Sequence, residues 1–212
     1  MGAQYIDRST QIGKRAFDVL VAVVGLLLFL PLFPLIALAI KWDSNGPVFI
    51  SQHRIGRARP DRTELFFMFK FRSMRQDAEA GSGAVWACKQ DPRITRVGRF
   101  LRRTRLDELP QLLNVLKGEM SLIGPRPERP GFYQKLESQI PFFAERTYGL
   151  APGITGLAQV NQGYDTSIDD VRAKLAYDHG YAMALSSFTC WLKMDFTIAC
   201  KTIVIMVKGE GR

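Results

Sequence analysis

"VLVAVVGLLLFLPLFPLIALAI", residues 19–40, is an uncharged apolar run interrupted by Pro31 and Pro34. A bilayer-spanning helix needs about 20 such residues, so its length permits a span. The prolines argue against an unbroken one, because each removes a backbone donor and bends the helix. Lys14 and Arg15 precede the run and Lys41 follows it. A plain span would put one basic flank on the non-cytoplasmic side, against the positive-inside tendency. A bent helix that returns to the same leaflet keeps all three cations in the cytoplasm. Ala37-Leu38-Ala39 imitates a cleavage site, but the run exceeds the roughly 7–15 apolar residues of a signal peptide. On this segment alone the re-entrant and spanning topologies stand level; the rest of the chain favours the first.

Outward from that run, 212 residues suffice for one domain plus an attached element. A net charge of +9 points to an anionic partner: nucleic acid, a phospholipid surface or a phosphorylated small molecule. Cys88, Cys190 and Cys200 show no CxxC spacing and read as small apolar residues of a reducing compartment. His53 and His179 stand far apart, without the Cys/His cluster that zinc requires.

"VFISQHRIG" (48–56) and "ELFFMFKFRSM" (64–74) read as two strands joined by the polar loop "RARPDR". Alternation in the second predicts Phe67, Phe69 and Phe71 on a core face, with Lys70 and Arg72 opposite, either solvated or facing phosphate. "RITRVGRFLRRTR" (93–105) carries six arginines and no acid. At helical spacing Val97, Phe100, Leu101 and Thr104 share one face, and Arg96, Arg99, Arg102 and Arg103 the other. Guanidiniums fork onto phosphate oxygens, so an all-arginine face favours phosphate or lipid-headgroup binding over simple solvation.

Asp107 and Glu108 follow at once, ahead of "LPQLLNVLKGEM". Pro110 belongs in a first helical turn, which dates the helix start to Asp107–Leu109. The acids then lie at a positive dipole end beside arginines, and both influences favour ionised carboxylates. Such groups suit a nucleophile or metal ligand, not a general acid. "SLIGPRPERPGF" presents Arg126 between prolines from a stiff loop, and "APGITGLAQVN" is a second Pro/Gly loop leading into a short strand. "SIDD" opens a helix by a capping-box pattern. Phe188 to Val207, broken by Lys193, Asp195 and Lys201, reads as an amphipathic helix on a membrane surface, with a buried core helix as the alternative.

These blocks, in this order, resemble the bacterial sugar transferases, the monotopic phosphoglycosyl transferases. The likeness rests on "KRAFDVL" with the apolar run, "GPVFISQHRIG", "FKFRSM", "TRVGRFLRRTRLDELPQLLNVLKGEMSLIGPRP" and "PGITGLAQVN". The resemblance implies transfer of a sugar-1-phosphate from a UDP-sugar to polyprenyl phosphate, with UMP released and Mg²⁺ held near Asp107 and Glu108. It implies Asp107 as nucleophile, Glu108 as its partner acid, Arg102 and Arg126 as basic site residues, and Pro31 as the helix-breaking proline. Leu30 stands where the family commonly has serine, so Pro34 is expected to help the break. Lys70, Arg72, Arg96 and Arg99 are further candidate phosphate contacts. "GAVWA", "RPERP" and the stretch from "NQGYD" favour UDP-glucose or UDP-galactose, and no nucleic acid partner is implied.

The expected fold is mixed α/β and monotopic, on the cytoplasmic face of a bacterial inner membrane. It has a tail (1–13), a re-entrant helix (14–41), a catalytic domain (42–185) and an interfacial helix (186–212) joined to that domain. Two rival readings stay open: a metal-dependent polyprenyl-diphosphate phosphatase, and a non-catalytic membrane-tethered binder of anionic lipid or nucleic acid.

Overall fold

In a computed structural model of the chain, residues 6–78, 91–162 and 167–209 are described. "GAVWA", Cys88 and residues 163–166 of the stretch from "NQGYD" lie outside them. The described part is mixed α/β and mostly helical: α1 (Arg8–Phe29), α2 (Leu32–Asp43), β1 (Phe49–Ala58), β2 (Thr63–Phe71), α3 (Arg96–Thr104), α4 (Gln111–Lys117), β3 (Ser121–Ile123), α5 (Pro130–Gln139), β4 (Gly153–Thr155), α6 (Leu157–Asn161), α7 (Ile168–Ala184) and α8 (Phe188–Lys208). Helix α1 starts earlier than expected, because Asp7 caps it by accepting from Thr10 N.

The apolar run is broken once, and α1 and α2 meet at 64°. Pro31 caps α2, and Pro34 falls in its first turn, where a missing N–H costs little. In a continuous helix Pro34 would have addressed the Leu30 carbonyl; that oxygen instead accepts from Phe33 N at 3.1 Å. No single helix among the described residues is long and apolar enough to cross a membrane, although the bent pair together is.

The β1–β2 hairpin is antiparallel, pairing Ile50 with Lys70, Gln52 with Met68 and Arg54 with Phe66. Its parity corrects the expected core face. Phe66 and Met68 are buried against α1 and α4, beside Ala22, Leu112 and Val115, whereas Phe67 is 51% exposed. Of the three alternating phenylalanines only Phe71 is fully buried, because α2 covers that end of the outer face with Phe33. A hairpin packed on one side by α4 and on part of the other by α2 has no single core face.

Helix α4 is fixed to the free edge of β2 by Asn114, which accepts from Phe69 N at 3.0 Å and donates to Phe67 O at 2.7 Å. Arg15 of α1 donates to the Val115 and Leu116 carbonyls at the end of α4. Gly98 lets α3 lie on the backbone of Ser73, since a Cβ there would approach Ser73 O to 1.9 Å. Leu101 then packs with Ile36, Ile40 and Phe71, and truncating so buried a leucine costs about 2–5 kcal/mol. Phe100, expected on the packed face, is 59% exposed.

β3 and β4 pair in parallel. The strand of "APGITGLAQVN" thus comes early in it, and "LAQVN" is α6 rather than strand. Ser167 and Asp170 form the capping box of α7. In α8 one stripe of Trp191, Asp195 and Ile198 faces the core while Leu192, Phe196 and Val207 are exposed, so the core reading holds for one side and the other is an open apolar face. Asp195 points inward: it pairs with Lys14 at 3.0 Å and accepts from Tyr181 at 2.9 Å and Trp191 at 2.7 Å.

Candidate active site

Arg105 ends α3 in the left-handed conformation (φ 57°), a geometry that costs a side chain roughly 1–2 kcal/mol. This reversal turns the chain into a single 3-10 turn, Leu106–Glu108, which drops both acids into the protein instead of leaving them on the helix surface. Pro110 and α4 follow directly.

The two carboxylates have opposite environments. Glu108 Oε1 lies 3.0 Å from Lys70 Nζ and 3.3 Å from Arg126 Nη2, and Oε2 lies 3.7 Å from Arg105 Nη1. Burial opposes its charge, but Lys70, Arg126 and Arg105 together prevail and hold the carboxyl far below the ordinary range. No hydrogen bond or ion pair reaches Asp107 among the described residues. Burial, reinforced by the charge of Glu108, raises Asp107 against the pull of Lys70, Arg102 and Arg126. The influences expected to favour both anions prevail at Glu108, whereas at Asp107 burial raises the carboxyl above its ordinary value. Dipole and arginines are present, but desolvation outweighs them at the second site.

Asp107 opens into a cleft of about 440 Å³ whose lining includes Lys70, Arg102 and Arg126. These are brought together as expected. Arg102 Nη1 is buried without a hydrogen-bond partner among the described residues. Arg96 and Arg99 are not in the lining; they stand exposed on the outer side of α3. Arg72 lines the cleft, but its guanidinium donates to the Ser44 carbonyl at 2.7 Å, to that of Asn45, and at the limit of range to that of Ile40. It is a C-terminal clamp on α2, and correspondingly weaker as a phosphate contact. Asp43 at the same end accepts from Val97 N of α3 at 2.7 Å. Arg72 and Asp43 thus tie the bent apolar helices to the arginine helix of the site.

Several site residues were not singled out in the sequence. Arg54, Arg129 and Arg75 also line the cleft, as do Glu128 and Arg93, the first arginine of the 93–105 run. Arg54 could have been found from its parity with Lys70 once the hairpin register was known. Arg146, 2% exposed, lies 3.2 Å from Asp178 and 3.8 Å from Glu128 and donates to the Arg126 carbonyl, so it anchors the Arg126 loop from below.

An arginine-lined cleft around a nearly unsolvated carboxylate is chemistry for bringing an acid up to a phosphorylated, anionic substrate. A family model described as bacterial sugar transferase matches residues 9–209, and the chain belongs to that family. It is 45% identical over 198 residues to the UDP-N-acetylgalactosamine-undecaprenyl-phosphate N-acetylgalactosaminephosphotransferase of Aeromonas hydrophila, covering 93% of this chain and 44% of that one. It is 41% identical over 197 residues to the UDP-glucose:undecaprenyl-phosphate glucose-1-phosphate transferase of Xanthomonas campestris pv. campestris, covering 91% and 39%. The exopolysaccharide production protein PSS of Rhizobium leguminosarum bv. phaseoli matches at 40% over 204 residues, 93% of this chain and 97% of its own. The chain spans less than half the length of the Aeromonas and Xanthomonas relatives.

Proposed function

We propose that this chain transfers a sugar-1-phosphate from a UDP-sugar to polyprenyl phosphate, releasing UMP, through a phosphosugar ester on Asp107. The observation that carries the reading is the contrast between the acids: Glu108 is held by three cations, while Asp107 faces the cleft with no partner. In the first step a carboxylate oxygen of Asp107 attacks the phosphorus bearing the sugar. The bond from that phosphorus to the UMP oxygen breaks, and UMP leaves with the electron pair. In the second step a phosphate oxygen of the lipid acceptor attacks the same phosphorus, and Asp107 departs as carboxylate. Charge balances in both steps without a proton, which suits a Glu108 kept ionised. Its work is to fix Lys70 and Arg126 where negative charge gathers on the transferred group. Splitting the transfer in two replaces one difficult step by two easier ones.

The donor set also fits Mg²⁺, which takes one or two carboxylates and fills its shell with water and substrate phosphates. Asp107 and Glu108 would hold it; Glu108 Oε2, 3.7 Å from Arg105 Nη1, has no hydrogen-bond partner among the described residues. When bound, the ion supplies charge neutralisation for an anionic nucleophile approaching an anionic diphosphate.

The reading includes a monotopic seat on the cytoplasmic face of the inner membrane, with α1–α2 dipping in and returning. The 64° bend supports it, as do the exposed Leu20, Leu27, Leu28 and Leu35 on α1 and α2 and Leu192 and Phe196 on α8. Moving each such side chain from water into lipid is worth about 1.5–3 kcal/mol. The lipid acceptor and a soluble donor then meet at headgroup depth.

The test is UMP release by the purified protein with Mg²⁺ and undecaprenyl phosphate, offered UDP-glucose, UDP-galactose and UDP-N-acetylgalactosamine in turn. "RPERP" favours the first two, whereas the Aeromonas relative is named for the third. Radiolabelled donor without acceptor should leave label on Asp107 after rapid quench. Silence with every UDP-sugar overturns the function, and release without an adduct overturns the covalent step alone.

A further inference from the structure

We infer that Arg54 anchors one phosphate subsite used twice in each cycle, first by the phosphate of departing UMP and then by the phosphate of the lipid acceptor. The inference rests on the two-step reading above and adds a residue and a constraint to it.

The hairpin register puts Arg54, opposite Phe66, on the sheet face that carries Lys70, and both line the cleft with Asp107. The guanidinium hangs on the turn that presents Arg126: Arg54 Nη1 donates to the Pro127 carbonyl at 3.1 Å, and Nη2 to Gln52 Oε1 at 3.0 Å. Its Nε is buried with no hydrogen-bond partner among the described residues. A buried donor left in this state is costly unless a ligand completes it. The charge around it calls for the same ligand. Burial, together with Arg126 and Arg129, pushes the Arg54 guanidinium down to about 10 against the pull of Glu128 and Glu108, and an anion among the three cations would relieve their repulsion.

In-line displacement explains why one subsite serves two phosphates. In the first step UMP leaves from the side of the phosphorus opposite the attacking Asp107 oxygen. In the second step Asp107 is the leaving group, so the acceptor must enter opposite it. That is the position UMP has vacated, and the two phosphates occupy the same place in turn.

The experiment compares the wild type with Arg54→Gln and Arg54→Lys. Gln removes the charge and keeps a polar side chain of shorter reach; Lys keeps the charge. UMP affinity is measured directly by calorimetry, with and without undecaprenyl phosphate, and the acceptor KM is measured by turnover. Arg54→Gln should weaken UMP binding and raise the acceptor KM by the same factor, about 10–100-fold, the value of a charge-assisted hydrogen bond. Arg54→Lys should recover part of both, and the acceptor should compete with UMP in the wild type. Unchanged constants, a change in only one of them, or simultaneous binding of UMP and acceptor would overturn the shared subsite. A purely structural Arg54 would lower Tm and kcat without moving the two constants together. Failure of the function itself shows separately, as a wild type that releases no UMP from any UDP-sugar.

Discussion

Asp107→Asn and Glu108→Gln, made one at a time, should both stop transfer and should move stability in opposite directions. Glu108→Gln removes the carboxylate that faces Lys70, Arg126 and Arg105 at once. Breaking a buried pair by deleting one partner costs about 3–5 kcal/mol. For a chain of this size each kcal/mol shifts Tm by roughly 2–4 °C, so the melt should fall by about 6–20 °C. Asp107→Asn deletes a carboxylate that no described residue hydrogen-bonds or ion-pairs and whose burial outweighs the pull of Lys70, Arg102 and Arg126, so its Tm should hold or rise. The pH dependence follows from the signs. The Glu108 carboxyl is depressed, so its stabilisation is present above the unfolded value near ~4.3 and lost only as pH falls through the depressed one. The Glu108→Gln deficit should therefore be flat across neutral pH. The Asp107 carboxyl is raised, so its charge is a stability cost that appears as pH rises toward and through the raised value. The gain in Asp107→Asn should grow over that window and vanish below the unfolded value near ~3.9. Thermal melts in one detergent from pH 4 to 9, with UMP release in parallel, read both quantities. A fall in Asp107→Asn as large as that in Glu108→Gln would refute the division into a held acid and a free one.

Three other outcomes are expected. Chelation of Mg²⁺ by EDTA should stop UMP release and restored Mg²⁺ should recover it; undiminished release would show that the arginines alone screen the approach. Arg72→Met should loosen the end of α2 and lower Tm with donor KM unchanged, whereas Arg126→Met should raise donor KM; a matching rise in Arg72→Met would return Arg72 to the phosphate contacts. In a background without native cysteines, Gly2→Cys should resist an impermeant thiol reagent in intact cells and react after permeabilisation. Adding Pro31→Leu and Pro34→Leu should expose it in part of the population, and labelling with the prolines intact would establish a plain span.

Much of this architecture is legible in the chain because the signals are local. The broken apolar run, the arginine helix with its N-cap Thr95, the acid pair before Pro110 and the capping box of α7 each depend on residues a few positions apart. What failed depends on contacts between distant segments. Alternation on β2 is real, yet which parity is buried depends on α4 and α2 covering different stretches of different faces. Asp195 reads as a polar break in α8 until Lys14, 181 residues earlier in the chain, is seen to meet it.

The cations show the same division most sharply. Composition supplies 29 lysines and arginines without saying which serve the fold. Arg15 and Arg72 look as available for phosphate as Arg102 does, but each lies against the last carbonyls of a helix, where the partial negative charge of the dipole holds a guanidinium. Arg146 is held by two acids and a backbone carbonyl. An arginine whose donors are taken by such partners gives up hydrogen bonds within the protein to bind substrate. Arg102 Nη1, which has no hydrogen-bond partner among the described residues, gives up none, while Arg54, with Nη1 on Pro127, Nη2 on Gln52 and its Nε unmatched, stands between, as Arg72 does. What each guanidinium already holds, invisible in the order of residues, grades the basic residues from scaffold to site.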